Sequence, residues 1–125
     1  GNQGFIEINL GNIIDWQNEG TISIQSGNYY VINAEFWVSL DELIGLYKEL
    51  QEAYKTLKGN ISFSNLDGTL QFTLQFNSLG QMNCEGSFQE FPSQENNHLK
   101  FEFIIDQSHL PVALSDLKTI VEPYY

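Results

Sequence analysis

From Leu70 to Phe76 apolar and polar residues alternate without a break, with Leu70, Phe72, Leu74 and Phe76 set against Gln71, Thr73 and Gln75. A two-residue period is what a strand with one buried and one solvated face requires, and a helix cannot segregate it. The same period marks residues 5–10 through Ile6, Ile8 and Leu10, residues 21–25 through Ile22 and Ile24, and residues 98–106 through Leu99, Phe101, Phe103 and Ile105. Further strands are expected at 13–16, 61–66 and 81–90, and the central alternation extends over 69–77. Turns are expected at Gly11-Asn12, Asn18-Glu19-Gly20, Ser26-Gly27-Asn28, Asp67-Gly68 and Leu79-Gly80, and a Pro92-containing loop over 91–97. The stretch from Tyr29 to Val38 is apolar on both sides. Tyr30, Ile32, Ala34, Phe36 and Val38 share one face, and Tyr29, Val31, Asn33, Glu35 and Trp37 the other, a pattern that predicts a central strand.

The period changes at Ser39. Ser39-Leu40-Asp41-Glu42 reads as a capping box, and Leu40, Leu43, Ile44, Tyr47, Leu50, Tyr54 and Leu57 then recur at three- and four-residue steps, with Gly59 as the left-handed stop. A second helix is expected after Ser108 as N-cap, with Pro111 in its first turn, an apolar stripe from Leu110 to Val121, and Pro123 as its end. Strands, one helix, more strands and a last helix, joined by short turns, predict an α+β class. The expected architecture is a single domain over 1–125, a curved antiparallel sheet of about seven or eight strands with two amphipathic helices packed on it. Residues 1–4 are expected to be flexible.

Charge narrows the functions this fold can carry. Five lysines, no arginine and sixteen acids give a net charge of −11. Nucleic-acid binding draws its affinity from cations set against phosphates, so direct binding of that kind is disfavoured, whereas a basic protein partner would be attracted and steered. Chemistry is sparse. His98 and His109 stand at opposite ends of one strand, roughly 30 Å apart if it is extended, and cannot share a metal or a proton. Cys84 is the single cysteine, read as a buried small hydrophobe with no base beside it. No glycine-rich phosphate loop is present, and no cofactor or metal is expected. No apolar run approaches the ~20 residues of a membrane span, and the expected compartment is the cytoplasm. Asp106, at the end of a strand and before a helix, reads as a cap for that corner.

The second half resembles the WapI-type immunity proteins of bacterial toxin systems, which are encoded beside a secreted toxin. The likeness is carried by the helix end Leu57-Lys58-Gly59, the strand pair around Asp67-Gly68, and the strand from Gly80 to Gly86-Ser87-Phe88. It is carried further by Asn97-His98-Leu99-Lys100-Phe101-Glu102-Phe103 followed by Asp106-Gln107-Ser108. It spans about Ala34 to Val121 and does not extend ahead of Tyr29. The resemblance implies a non-enzymatic inhibitor that binds a cognate toxin domain, often a nuclease; the sequence leaves its oligomeric state open between monomer and weak dimer. Asp106, Gln107 and Ser108 would then be structural motif residues. Candidate contacts are Glu35 beside Trp37, and Asp41, Glu49 and Glu52 on the exposed side of the first helix; the plainer reading of these acids is a solvated helix face with ordinary cap and ion-pair roles, such as Lys48 with Glu52. Two other readings stand beside this one: a small-ligand binder whose curved sheet encloses an apolar pocket lined by Phe and Tyr, and an enzyme built on converging carboxylates.

Overall fold

The alternating segments form strands, and they close into two antiparallel meanders. The computed structural model describes residues 3–11, 17–65, 68–89 and 98–124. Along the chain run β1 (Gly4–Leu10), β2 (Gln17–Ser26), β3 (Tyr29–Ser39), α1 (Leu40–Thr56), β4 (Asn60–Ser64), β5 (Leu70–Phe76), β6 (Gln81–Gln89), β7 (His98–Asp106) and α2 (Leu110–Val121), with single 3-10 turns at Gln107–His109 and Glu122–Tyr124. The α+β class holds. The single sheet does not: among the described residues the strands pair as β1-β2-β3 and as β4-β5-β6-β7. The reason lies in connectivity, because α1 separates β3 from β4 and hairpin pairing cannot run on across it. The strands expected at 13–16, the Asp67 half of the Asp67-Gly68 turn and the Pro92 loop lie outside the described residues.

Two polar side chains tie the sheets together. The Ser26 hydroxyl, at the β2–β3 turn, donates to the Glu102 carbonyl of β7 at 3.3 Å and accepts from the Glu102 N–H at 3.2 Å, taking the place of a neighbouring strand. Buried Asn65, after β4, donates through Nδ2 to the Trp37 carbonyl of β3 at 3.1 Å. Its Nδ2 also reaches the Thr69 hydroxyl at 2.7 Å, and its Oδ1 accepts from the Leu70 N–H at 2.9 Å. The core lies between the inner sheet faces and the helices. Ile22, Ile24, Phe36 and Val38 of the first sheet, Leu43, Tyr47 and Leu50 of α1, Phe88 and Phe103 of the second sheet, and Leu110 and Val121 of α2 belong to one buried cluster. Gly86 faces Phe72 across β5 and β6, and a Cβ there would stand 2.1 Å from the Gln71 carbonyl oxygen.

α1 begins as its sequence dictates: Glu42 N donates to Ser39 Oγ at 3.0 Å, and Ser39 N donates to Glu42 Oε1 at 2.7 Å. Its left-handed cap is Leu57, at φ 53°, two residues before the stop expected at Gly59, which is itself at φ 101°. Several other expectations are corrected. Asn18-Glu19-Gly20 is not a turn but the interior of β2, paired with Phe36, Trp37 and Val38. Among the described residues β3 is an edge strand, not a central one. Its register slips between Ile22 and Ile24, where Asn33 adopts φ 50° and its N–H donates to Ser23 Oγ at 2.9 Å. This β-bulge reverses which side faces inward. Tyr30 and Ile32, expected to share the buried face of Ala34 and Phe36, are 59% and 71% exposed. Ser108 does not cap α2; Asp106 caps the 3-10 turn that precedes it. Near the start of the described residues Gly4 lies in β1, and the Gln3 carbonyl accepts from Gly27 N–H at 2.9 Å.

Candidate partner-binding face

Directly paired residues of an antiparallel sheet share a face, as do residues two apart on a strand. The outward face of the three-stranded sheet can therefore be read from its register. It holds Glu7 opposite Ser23, Thr21 opposite Glu35, Glu19 opposite Trp37, and the row Phe5, Gln25 and Tyr30. Three carboxylates and four aromatic or aliphatic side chains, counting Ile32 beyond the bulge, thus look out of one surface. No counter-charge stands among them in sequence: every residue from 1 to 47 that carries a side-chain charge is an acid, the first lysine being Lys48.

Glu35 and Trp37 are brought together. The Trp37 Nε1–H donates to Glu35 Oε1 at 3.1 Å, which fixes the indole across the strand. Glu19 joins them. Its carboxyl holds its proton above the ordinary glutamate range, first because it hydrogen-bonds the Glu35 side chain, then through partial desolvation and the repulsion of the Glu35 charge. The sequence pattern predicts a turn at Glu19. The signal that would have found it is the run Glu19, Thr21, Ser23, Gln25, which alternates with Gly20, Ile22 and Ile24 and continues the strand through Gly20. Gly20 is small for a reason: β1 crosses so close that a Cβ there would stand 2.3 Å from the Asn9 carbonyl oxygen.

Asp41, Glu49 and Glu52 belong to a different element. They lie on the exposed stripe of α1, where Lys48 and Lys55 interleave with them, and Asp41 also sits in the first turn, where a negative charge favours the helix dipole. Asp106 Oδ2 accepts from Ser108 N–H at 3.2 Å, and hydrogen bonding from Ser108, first through its side chain and then through this N–H, holds its carboxyl below the usual range. Gln107 is half-buried, with its side-chain amide against Gly80.

Other chemistry is placed where it does little. Burial pushes the Cys84 thiol up to about 12, so no thiolate forms near neutrality. His98 and His109 are exposed at opposite ends of β7 and its following turn. Among the described residues no three His, Cys, Asp or Glu groups converge as a metal site, and no helix is long and apolar enough to cross a membrane. A cleft of about 880 Å³ runs between Ile6 and Ile8 of β1, Leu43 and Leu50 of α1, and Leu117 and Ile120 of α2, with Gln81 and Asp106 among its polar lining residues. It is open to one side, unlike the closed Phe- and Tyr-lined pocket that the ligand-binding reading expects.

Comparison with known proteins agrees with the resemblance and extends it. The model of the immunity protein WapI-like family matches residues 11–125, reaching back through β2 and β3 to a region where the sequence alone gave no likeness. No curated protein and no solved structure matches the chain. With the match covering nearly all of the fold just described, the chain belongs to the WapI-like immunity protein family.

Proposed function

We propose that this protein neutralises a basic, nuclease-like toxin domain by laying the outward face of its three-stranded sheet over the cationic surface that the toxin offers to nucleic acid. Family membership supports an immunity role. The observation that carries the finer reading is the concentration of Glu7, Glu19 and Glu35 beside Phe5, Tyr30 and Trp37 on one face, in a stretch without a lysine. Such a face offers carboxylates where a phosphate backbone would otherwise lie and rigid aromatic area for contact. The Glu19–Glu35 pair strengthens the case, because like charges held together on a surface cost stability until a cation arrives. Glu35 and Trp37 are the central contacts, and Asp41, Glu49 and Glu52 contribute through the overall field. The action is stoichiometric and non-enzymatic, needs no cofactor, and takes place in the cytoplasm, where a nuclease finds its substrate.

The test is inhibition and binding of the toxin domain encoded beside this chain. Titration calorimetry at low and high salt is expected to give a 1:1 complex that weakens as salt rises, and Glu35→Lys is expected to weaken it further and restore toxin activity. A toxin domain that neither binds nor loses activity in the presence of the wild-type protein would end this reading. The cleft favours a second one, an apolar small-ligand site; thermal shifts with a panel of fatty acids and aromatic ligands would reveal it, and the absence of any shift would dismiss it.

A further inference from the structure

The outer edge of β3 is an unusual surface. β3 ends its sheet, and no described strand pairs with its far side. Edge strands are commonly protected by lysine, proline, bulges or covering loops; between Tyr29 and Trp37 there is neither lysine nor proline, and the bulge at Asn33 interrupts the edge at one point only. In their place stand Tyr29, Tyr30 and Ile32, exposed at 71%, 59% and 71%. The backbone is aimed outward at defined positions. Ladder pairs alternate between hydrogen-bonded and non-hydrogen-bonded, and counting from Ser26↔Tyr29 at the two-residue turn, Tyr30 falls in the second kind, with its N–H and C=O directed away from β2. Beyond the bulge the phase is fixed independently. The Trp37 carbonyl bonds Asn65, which lies on the side away from β2, so Glu35, two residues earlier, points the same way. The free edge thus runs from Tyr30 to Glu35 and is bounded by Asn65.

We infer that this edge docks an extended segment of the toxin domain as an added strand, with Lys or Arg of that segment set against Glu35 and Glu19 and its apolar residues against Tyr30 and Ile32. The inference rests on the proposed immunity function and supplies its binding mode. Charge selects the occupant. A second copy of this chain would bring another −11 against the same acidic field. A basic strand meets the opposite field, gains backbone hydrogen bonds from the edge, and takes specificity from alternate side chains.

Tyr30→Pro separates this mode from a purely electrostatic one. It removes one outward N–H while leaving the β2–β3 ladder intact, a position where an edge strand accepts proline, and all three charges remain. The expected result is an affinity for the toxin domain about tenfold or more below that of Tyr30→Ala, which loses the same side chain but keeps the N–H, with circular dichroism unchanged, while amide exchange of the wild-type complex shows new protection at Tyr30, Ile32 and Glu35. Equal affinity in Tyr30→Pro and Tyr30→Ala, with those amides still exchanging freely in the complex, would overturn the added-strand mode and leave the acidic-face reading standing. Should Tyr30→Pro fail to fold, the exchange pattern of the wild-type complex decides alone. Failure of the wild-type protein to bind would remove both ideas, and protection of the same amides in the free protein together with a dimer in solution would assign the edge to a second copy.

Discussion

Asn65 shows what one residue does when every polar atom is used. Its side chain joins β3, the Thr69 hydroxyl and the Leu70 N–H, and it is buried. Asn65→Ala would leave the Trp37 carbonyl and the Leu70 N–H without partners, so it should destabilise the fold by about 1–3 kcal/mol in urea titration. Asn65→Asp should not restore it, since a carboxylate cannot donate to the Trp37 carbonyl. Two acids carry opposite pH signatures. Glu19 has a raised pKa in the fold, so its contribution is fully present below its unfolded value and is lost as pH rises through the folded one. Glu19→Gln, which keeps a donor for Glu35 without the charge, should therefore gain in Tm relative to wild type as pH climbs from below the carboxylate range to neutrality. Asp106 is lowered, so its contribution is present above its unfolded value and is lost as pH falls through the folded one; Asp106→Asn should lag the wild type at neutral pH and converge with it in acid. Asp106 was legible because an acid between a strand and a helix has few other uses. Glu19 was hidden because Asn18 and Gly20, its neighbours, carry turn chemistry in isolation, and only cross-strand pairing with Trp37 overrides them.

At the scale of elements, α1 was readable almost to the residue, since its capping box and its stripe are local facts. β7 was equally plain, its Leu-x-Phe-x-Phe alternation leaving one register that buries Phe101 and Phe103. β3 was misread for a definite reason. Simple alternation puts Tyr30, Ile32, Ala34 and Phe36 on one face, and one inserted residue at the bulge sends the first two outward. Asn33 was the available hint, because asparagine tolerates the left-handed conformation that φ 50° requires. Replacement tests that account: Asn33→Val should destabilise by about 1–2 kcal/mol through left-handed strain, and Asn33→Gly should be far milder. If both variants unfold at the wild-type denaturant concentration, Asn33 does not set the bulge. In the other sheet, Gly86→Ala would push a methyl group against the β5 backbone at Gln71, and overpacking of that kind should cost about 1–3 kcal/mol.

For the molecule as a whole, class was legible and partition was not. Turn spacing tells which strands neighbour in sequence, whereas the meeting of the two sheets depends on Ser26 reaching Glu102 across 76 residues, a contact with no local signature. Net charge was legible too, yet it does not say where the charge acts. A field generated by all sixteen acids steers a basic partner whatever their arrangement, and it sets the association rate. Contacts made in the complex set the dissociation rate instead. Two double variants separate these contributions at equal net charge: Glu7→Gln with Glu35→Gln on the sheet face, and Asp41→Asn with Glu49→Gln on α1. Each removes two negative charges, so both should slow association with the toxin domain by similar factors, and high salt should erase the difference from wild type. Only the sheet pair should hasten dissociation, because only it removes groups proposed to touch the partner. Stopped-flow association and surface-based dissociation measurements give the two rates separately. Faster dissociation from the α1 pair, with the sheet pair unchanged, would move the interface from the sheet to the helix.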